Sequence, residues 1–142
     1  MADGRSRWTW RTLLFLAGAT WGCEPPENAL VHGCAHRPLD LTSHCYVRAK
    51  RLDAIQYASF AANTKNERVR VKVALRLQRG AVAVELPGCV PTQGRGVVRP
   101  GQPLVLECDS KVHRNDYTFS ISARPLEFPV QGLEGDVSFR AL

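Results

Sequence analysis

Methionine occurs only at position 1, and no apolar run approaches the roughly 20 residues that a membrane-spanning helix needs. No Cys-x-x-Cys pair occurs, which removes the usual four-cysteine zinc frameworks. There is no Gly-x-Ser-x-Gly elbow, no His-Glu-x-x-His signature and no glycine-rich dinucleotide loop. Asn28, Asn63, Asn66 and Asn115 all lack Ser or Thr two positions later, so no standard N-glycosylation site is present. These absences point to no cofactor and remove the commonest enzyme frameworks. With 44% apolar and 23% charged residues, what remains is an ordinary globular composition.

The most informative segment lies at the amino end. Arg5, Arg7 and Arg11 precede the short apolar core Leu13-Leu14-Phe15-Leu16-Ala17-Gly18-Ala19, and small residues follow down to Gly22. That order predicts a secretory signal peptide over residues 1–22. Trp8, Trp10 and Trp21 are bulky around the core, so the alternative is an uncleaved signal that anchors the chain in a membrane. Cleavage leaves about 120 residues, one domain in size. It also lowers the formal charge from +6 to +4, because Asp3 leaves with the three arginines. The expected location is secreted or on an extracytoplasmic surface.

Such a compartment permits disulfides, and the chain has five cysteines. Cys23 follows the expected cleavage point and is set aside as free, interchain or lipidated. Thr20-Trp21-Gly22-Cys23 ends in the Gly–Cys pair of a bacterial lipoprotein box, with Trp and Thr where a small residue and Leu usually stand. Lipid on Cys23 would give a second route to membrane anchoring. Short loop closure favours Cys34–Cys45 and Cys89–Cys108 for the other four, although three connectivities exist. A weaker alternative uses His32, Cys34 and His36 as metal ligands, since alternate residues of an extended segment share a side. It competes with the disulfide for Cys34.

Residues 23–45 read as a Pro-rich, cystine-stapled lead-in, and residues 46–142 as a β-rich domain. Within the latter, Val69, Val71, Val73, Leu75 and Leu77 alternate with mainly charged residues, the pattern of a half-buried strand. Residues 81–86 form a second strand, expected to close a hairpin around Arg79-Gly80. Further strands are expected at 104–108, at 117–123 with Tyr117 inward, and at 137–140. Pro125 and Pro129 suggest an irregular or edge piece, and Gly132 and Gly135 a turn. Leu52, Ile55, Ser59 and Ala62, spaced by three or four, predict one short helix over 50–62. The expected fold is mainly β, an antiparallel β-sandwich with Greek-key connections as the leading topology.

Ser110, His113 and Asp116 are the residue types of a hydrolytic triad, but they crowd into one polar loop that orients nothing. The remaining signal is charge. Arg68, Arg70, Lys72 and Arg76 mark one outward strand face, and Lys111 and Arg114 a basic loop. They are the expected binding residues of a secreted or surface-associated module that takes a protein partner, which could be disulfide-linked through Cys23. An anionic glycan or lipid is an alternative ligand for the same cations. Nucleic acid is not expected of an exported chain lacking a recognisable binding motif. The rival functions are a small exported enzyme and a structural subunit of an extracellular assembly.

Overall fold

A computed structural model describes residues 26–35, 42–62, 68–90, 94–113 and 115–142, and every regular element in them is a β-strand. The expected signal segment 1–22 and Cys23 lie outside the described residues, as do His36 and Arg114. The strands are β1 (Val31–Ala35), β2 (Thr42–Leu52), β3 (Gln56–Ala61), β4 (Arg68–Arg76), β5 (Arg79–Glu85), β6 (Cys89–Val90), β7 (Arg95–Val98), β8 (Leu104–Lys111) and β9 (Thr118–Ala141). The boundary expected between lead-in and domain falls inside β2.

The last strand organises the rest. β9 has 24 residues, against about 5–6 in an ordinary strand. Along one flank it pairs first with β3, from Ala61↔Thr118 to Gln56↔Ala123, then with β2, from Leu52↔Val130 to Thr42↔Arg140. Along the other it pairs with β5 and then β4. Its two ends fold toward one another. Phe119 and Phe139 meet edge to face with centroids 4.9 Å apart, and Phe60 of β3 stacks on Phe119 at 5.2 Å. Two layers result: a six-stranded sheet ordered β1-β2-β9-β4-β8-β6, and a four-stranded one, β3-β9-β5-β7. All pairings are antiparallel.

The core is the sum of the alternating inner faces. Val69, Val71 and Val73 join Val47, Phe119, Val82, Val137 and their neighbours in one buried cluster. Each such aliphatic side chain contributes roughly 1.5–3 kcal/mol on burial. Ser110 and Ser122 are the buried polar residues among those described; their hydroxyls donate to the carbonyls of Lys111 and Glu85. Cys34–Cys45 and Cys89–Cys108 are bonded, with Cα atoms 4.0 and 5.6 Å apart.

Four expectations are corrected. Residues 50–62 form no helix: β2 ends at Leu52, a bend takes Asp53 to Ile55, and β3 follows. Ala58, Phe60 and Ala62 are buried while Ser59 is exposed, so period two prevails over the chance spacing of Leu52, Ile55, Ser59 and Ala62. β4 and β5 form no hairpin. They run end to end along one flank of β9, and the Gln78 N–H continues the ladder to the Gln131 carbonyl at 3.2 Å. Tyr117, with φ 54°, sits in the turn before β9 and is exposed.

The fourth correction concerns 125–135, which is neither an edge piece nor a turn but the bend of the central strand. Pro125 and Pro129 fall between Ala123, the last partner of β3, and Val130, the first partner of β2. There β9 has no neighbour on that side, so the missing proline donors cost no ladder bond. Opposite them, register shifts between Arg79, Ala81 and Val82 carry β5 round the bend.

Candidate functional site

β4 lies between β8 and β9, and its outward residues are placed by that register. Arg68 stands opposite Lys111, Arg70 opposite Asp109 and Arg140, Lys72 opposite Glu107 and Ser138, and Arg76 opposite Glu134. The structure therefore brings the expected strand cations beside Lys111 of the other basic group, at one end of the face. It also interleaves carboxylates among them. Arg70 Nε donates to Asp109 at 3.1 Å, and Arg76 Nε to Glu134 at 2.8 Å. The Asp109 carboxylate holds the Arg70 guanidinium still more firmly protonated than usual. The uniform positive face suggested by β4 alone is in fact a ladder of both signs.

Sequence reasoning missed the centre of this face. One row crosses five strands: Val105, Ala74, Asp136, Tyr46 and Gly33. Tyr46 and Val105 are large, apolar and exposed, at 47% and 60%. Ala74 between them is too short to fill the space, and an open cleft of about 430 Å³ lies there, bounded by Arg48, Arg76, Glu134 and Asp136. A Cβ on Gly33 would meet the Tyr46 ring at 2.6 Å, so the absent side chain lets the ring lie down on β1. The Arg48 guanidinium carbon is 5.5 Å from the ring centroid, within cation–π range. The cleft adjoins a second depression between Arg48, Lys50, Gln78 and Gly132, so the face carries a trough rather than a dimple. The outward alternation of Tyr46, Arg48 and Lys50 was readable. Their meeting with Glu134 and Asp136 was not, because 132–135 resembles a turn.

Two weaker arrangements are also weighed in the sequence, a Ser110–His113–Asp116 set and a His32–Cys34–His36 metal site. Ser110 is buried in β8 with its hydroxyl on the Lys111 carbonyl, and Asp116 accepts from the Thr118 hydroxyl at 2.8 Å. Those hydrogen bonds hold the two side chains to their own neighbours. Cys34 is spent in a disulfide, which removes the thiolate that the His32–Cys34–His36 alternative requires. His32 instead tilts over Phe60, centroids 4.8 Å apart.

No protein-family model matches the chain, and no curated protein matches it. Among solved structures, a Cupin_2 domain of an XRE-family transcriptional regulator from Enterobacter cloacae aligns at 11% identity and TM-score 0.39, over 80% of this chain and 98% of that one. A carbohydrate-binding module of Cellvibrio mixtus lichenase 5A, in complex with cellotriose, aligns at 10% and 0.35, over 80% and 88%. The carboxy-terminal module of a Zobellia galactanivorans laminarinase aligns at 8% and 0.33, over 81% and 94%. Likeness at this level carries no functional argument.

Proposed function

We propose that the chain is an exported protein-binding module, secreted or held at a surface, that takes its partner on the outer face of the six-stranded sheet. The observation that carries this is the pair of exposed residues Tyr46 and Val105 on either side of a cleft bounded by Arg48, Arg76, Glu134 and Asp136, with the charge ladder around it. Protein interfaces concentrate aromatic residues and arginine around such centres and leave a polar rim. Both signs of charge select a partner with a complementary mixed surface.

A second reading has one observation of its own. Arg68 faces Lys111 and Arg70 faces Arg140 at one end of the face, which favours an anionic glycan or lipid headgroup there. Export rests on residues 1–22, and Cys23, left over by the two internal disulfides, would supply an interchain or lipid link.

Crosslinking in the native source, with intact-mass analysis of the mature chain, finds the partner and the state of Cys23. Ala74→Arg fills the cleft and is expected to weaken partner binding at least about tenfold with the fold intact. R70E/K72E should weaken it further at low salt. If neither variant changes affinity, this face is not the interface. Loss confined to R68E/K111E, with steep salt dependence, favours the anionic ligand, and substrate turnover by the purified protein favours the enzyme alternative.

A further inference from the structure

The outer face of the six-stranded sheet carries all of the net side-chain charge of the described residues. Four of its cations stand on β4; Arg48 and Lys50 come from β2, Lys111 from β8 and Arg140 from β9. The register sets them among Glu107, Asp109, Glu134 and Asp136. Elsewhere among the described residues, Arg51, Arg79, Arg95, Arg99 and Arg124 are matched in number by Glu27, Asp53, Glu85, Asp116 and Glu127. Two of those are direct pairs, Arg51 with Asp53 at 3.0 Å and Arg99 with Glu127 at 2.7 Å. The rest of the described surface is neutral in sum, and the positive excess sits on one side of the molecule. Charge gathered in this way steers an approaching partner to that side.

The excess forms two poles. Arg68, Lys111, Arg70, Arg140 and Lys72 outnumber Asp109 and Glu107 at one end of the face. Arg48, Lys50 and Arg76 outnumber Glu134 at the other. Between them lie Tyr46, Val105 and the Asp136 carboxylate at the open cleft. Arg68 and Arg76 bound β4, a nine-residue strand, and stand roughly 27 Å apart at the usual rise per residue. An occupant that meets both poles is therefore a macromolecule rather than a small ligand.

Resting on the reading that this face is the interface, we propose that its partner is an acidic protein, with carboxylates for the two cationic poles and an apolar side chain for the cleft between them. A second copy of the chain does not suit the face, because two surfaces with the same positive excess repel. A uniformly anionic glycan or lipid surface would lie over Glu107, Asp109, Glu134 and Asp136 with like charge against like. A protein surface can set its own few cations opposite those four and keep its acids for the poles.

The probe is a synthetic peptide with aspartates at both ends and leucines at its centre, long enough when extended to reach from Arg68 to Arg76. NMR titration should shift the amides of Tyr46, Lys72, Ala74 and Arg76, and affinity should fall about tenfold from low to physiological salt. K50E/K111E reverses one cation at each pole, and neither lysine forms an ion pair among the described residues. It should weaken peptide binding by about tenfold or more and leave Tm nearly unchanged. The same peptide with lysine in place of aspartate should not bind, and with serine in place of leucine it should bind several-fold more weakly. No shift with the aspartate peptide, equal binding of the lysine peptide, or indifference to K50E/K111E each overturns the acidic partner. None of these removes the interface itself, which stands or falls on the loss of native partner binding in Ala74→Arg. Equal binding of the serine peptide, or tighter binding to anionic phospholipid vesicles, would make the ligand a plain polyanion and overturn the proposal. Self-association abolished by Ala74→Arg would assign the face to a second copy and overturn it too.

Discussion

The two sheets share β9 and a single core, but they are held at their edges by different means. The six-stranded sheet ends in β1, with five residues, and β6, with two, and each is tied to its neighbour by a disulfide. The four-stranded sheet has no disulfide among its described residues. Its edge strand β3 is instead the continuation of β2 round a three-residue bend, and it anchors itself by burying Ala58 and Phe60. A covalent tie supplements the few ladder bonds of β1 and β6, whereas β7, the other edge of the four-stranded sheet, has four residues and no disulfide, so the ties mark the six-stranded sheet rather than short edges in general. The outer surfaces differ in the same sense. One bears a charge ladder around a cleft; the other offers Ser59, Ser120 and Ala83 beside Arg124. Rigid edges frame the proposed partner face.

The comparison breaks most completely where the layers share atoms. Phe119 stacks on Phe60 and meets Phe139, so it touches both arms of β9 and β3 together. Phe119→Ala is expected to cost about 3–5 kcal/mol, a large fraction of a small domain's stability. Urea unfolding followed by two probes, one in each sheet, should show a single transition shifted for both. Separate transitions would mean that the layers are independent.

Removing a disulfide tests the edges. C89S/C108S should cost about 3 kcal/mol, and C34S/C45S about 0.5 kcal/mol less, since the bridges close 19 and 11 residues of sequence. Amide exchange should rise first at β6 in one variant and at β1 in the other. Neither change should propagate to β3 ahead of global unfolding. Earlier loss of β3 protection in C34S/C45S would show that β1 supports the lower layer.

The joint between the sheets is a smaller target. Gly80 adopts φ 90°, and a Cβ there would stand 2.5 Å from the Pro129 carbonyl oxygen and 2.6 Å from that of Glu127. Both obstacles are backbone, and neither can swing away. Gly80→Ala should therefore destabilise by about 1–3 kcal/mol. A thermal shift smaller than that of an exposed substitution such as Ser59→Ala would show that the joint is slack.

The regular parts of both sheets were legible in the sequence, and the joints were not. Val69 to Leu75 alternates so strictly that β4 was found within one residue, and Phe119, Ile121 and Ala123 marked the first arm of β9. Alternation reports which side of a strand is buried but not which strand lies alongside. The loop-like Arg79-Gly80 therefore read as a hairpin, although the chain continues round the bend beside β9. Pro125, Pro129 and Gly132 read as an interruption for a similar reason. The two prolines are tolerated because β2 and β3 leave residues 124–129 of β9 uncovered, a fact of pairing that local sequence does not carry, while Gly132, with φ 67°, lies within the stretch that β2 flanks. The candidate site divides along the same line. The cations of β4 and Lys111 were visible, whereas Tyr46, Val105, Glu134 and Asp136 become one surface only through a register across distant segments.

The finest distinction between the sheets is electrostatic. On the six-stranded face the Arg70–Asp109 pair strengthens a guanidinium that already stays charged at any accessible pH, so it offers no titration of the arginine to follow. At the start of β9, where the four-stranded sheet begins, Asp116 is different. Its Oδ1 accepts the Thr118 hydroxyl at 2.8 Å and the Thr118 N–H at 3.3 Å. The hydroxyl bond is the main reason its carboxyl titrates below the usual range, against a smaller opposing effect of burial. A carboxylate whose pKa is lowered on folding adds stability above its unfolded pKa, and that stability is lost as pH falls through the folded value. Thr118→Val removes the hydroxyl but keeps the branched shape and the backbone donor. The Asp116 midpoint should then rise toward the ordinary aspartate value without fully reaching it, and the acid side of the stability profile should flatten over the same interval. NMR titration of the Asp116 side-chain carboxyl carbon reads this directly. An unmoved midpoint would assign the shift to the backbone N–H and to nearby His113 instead.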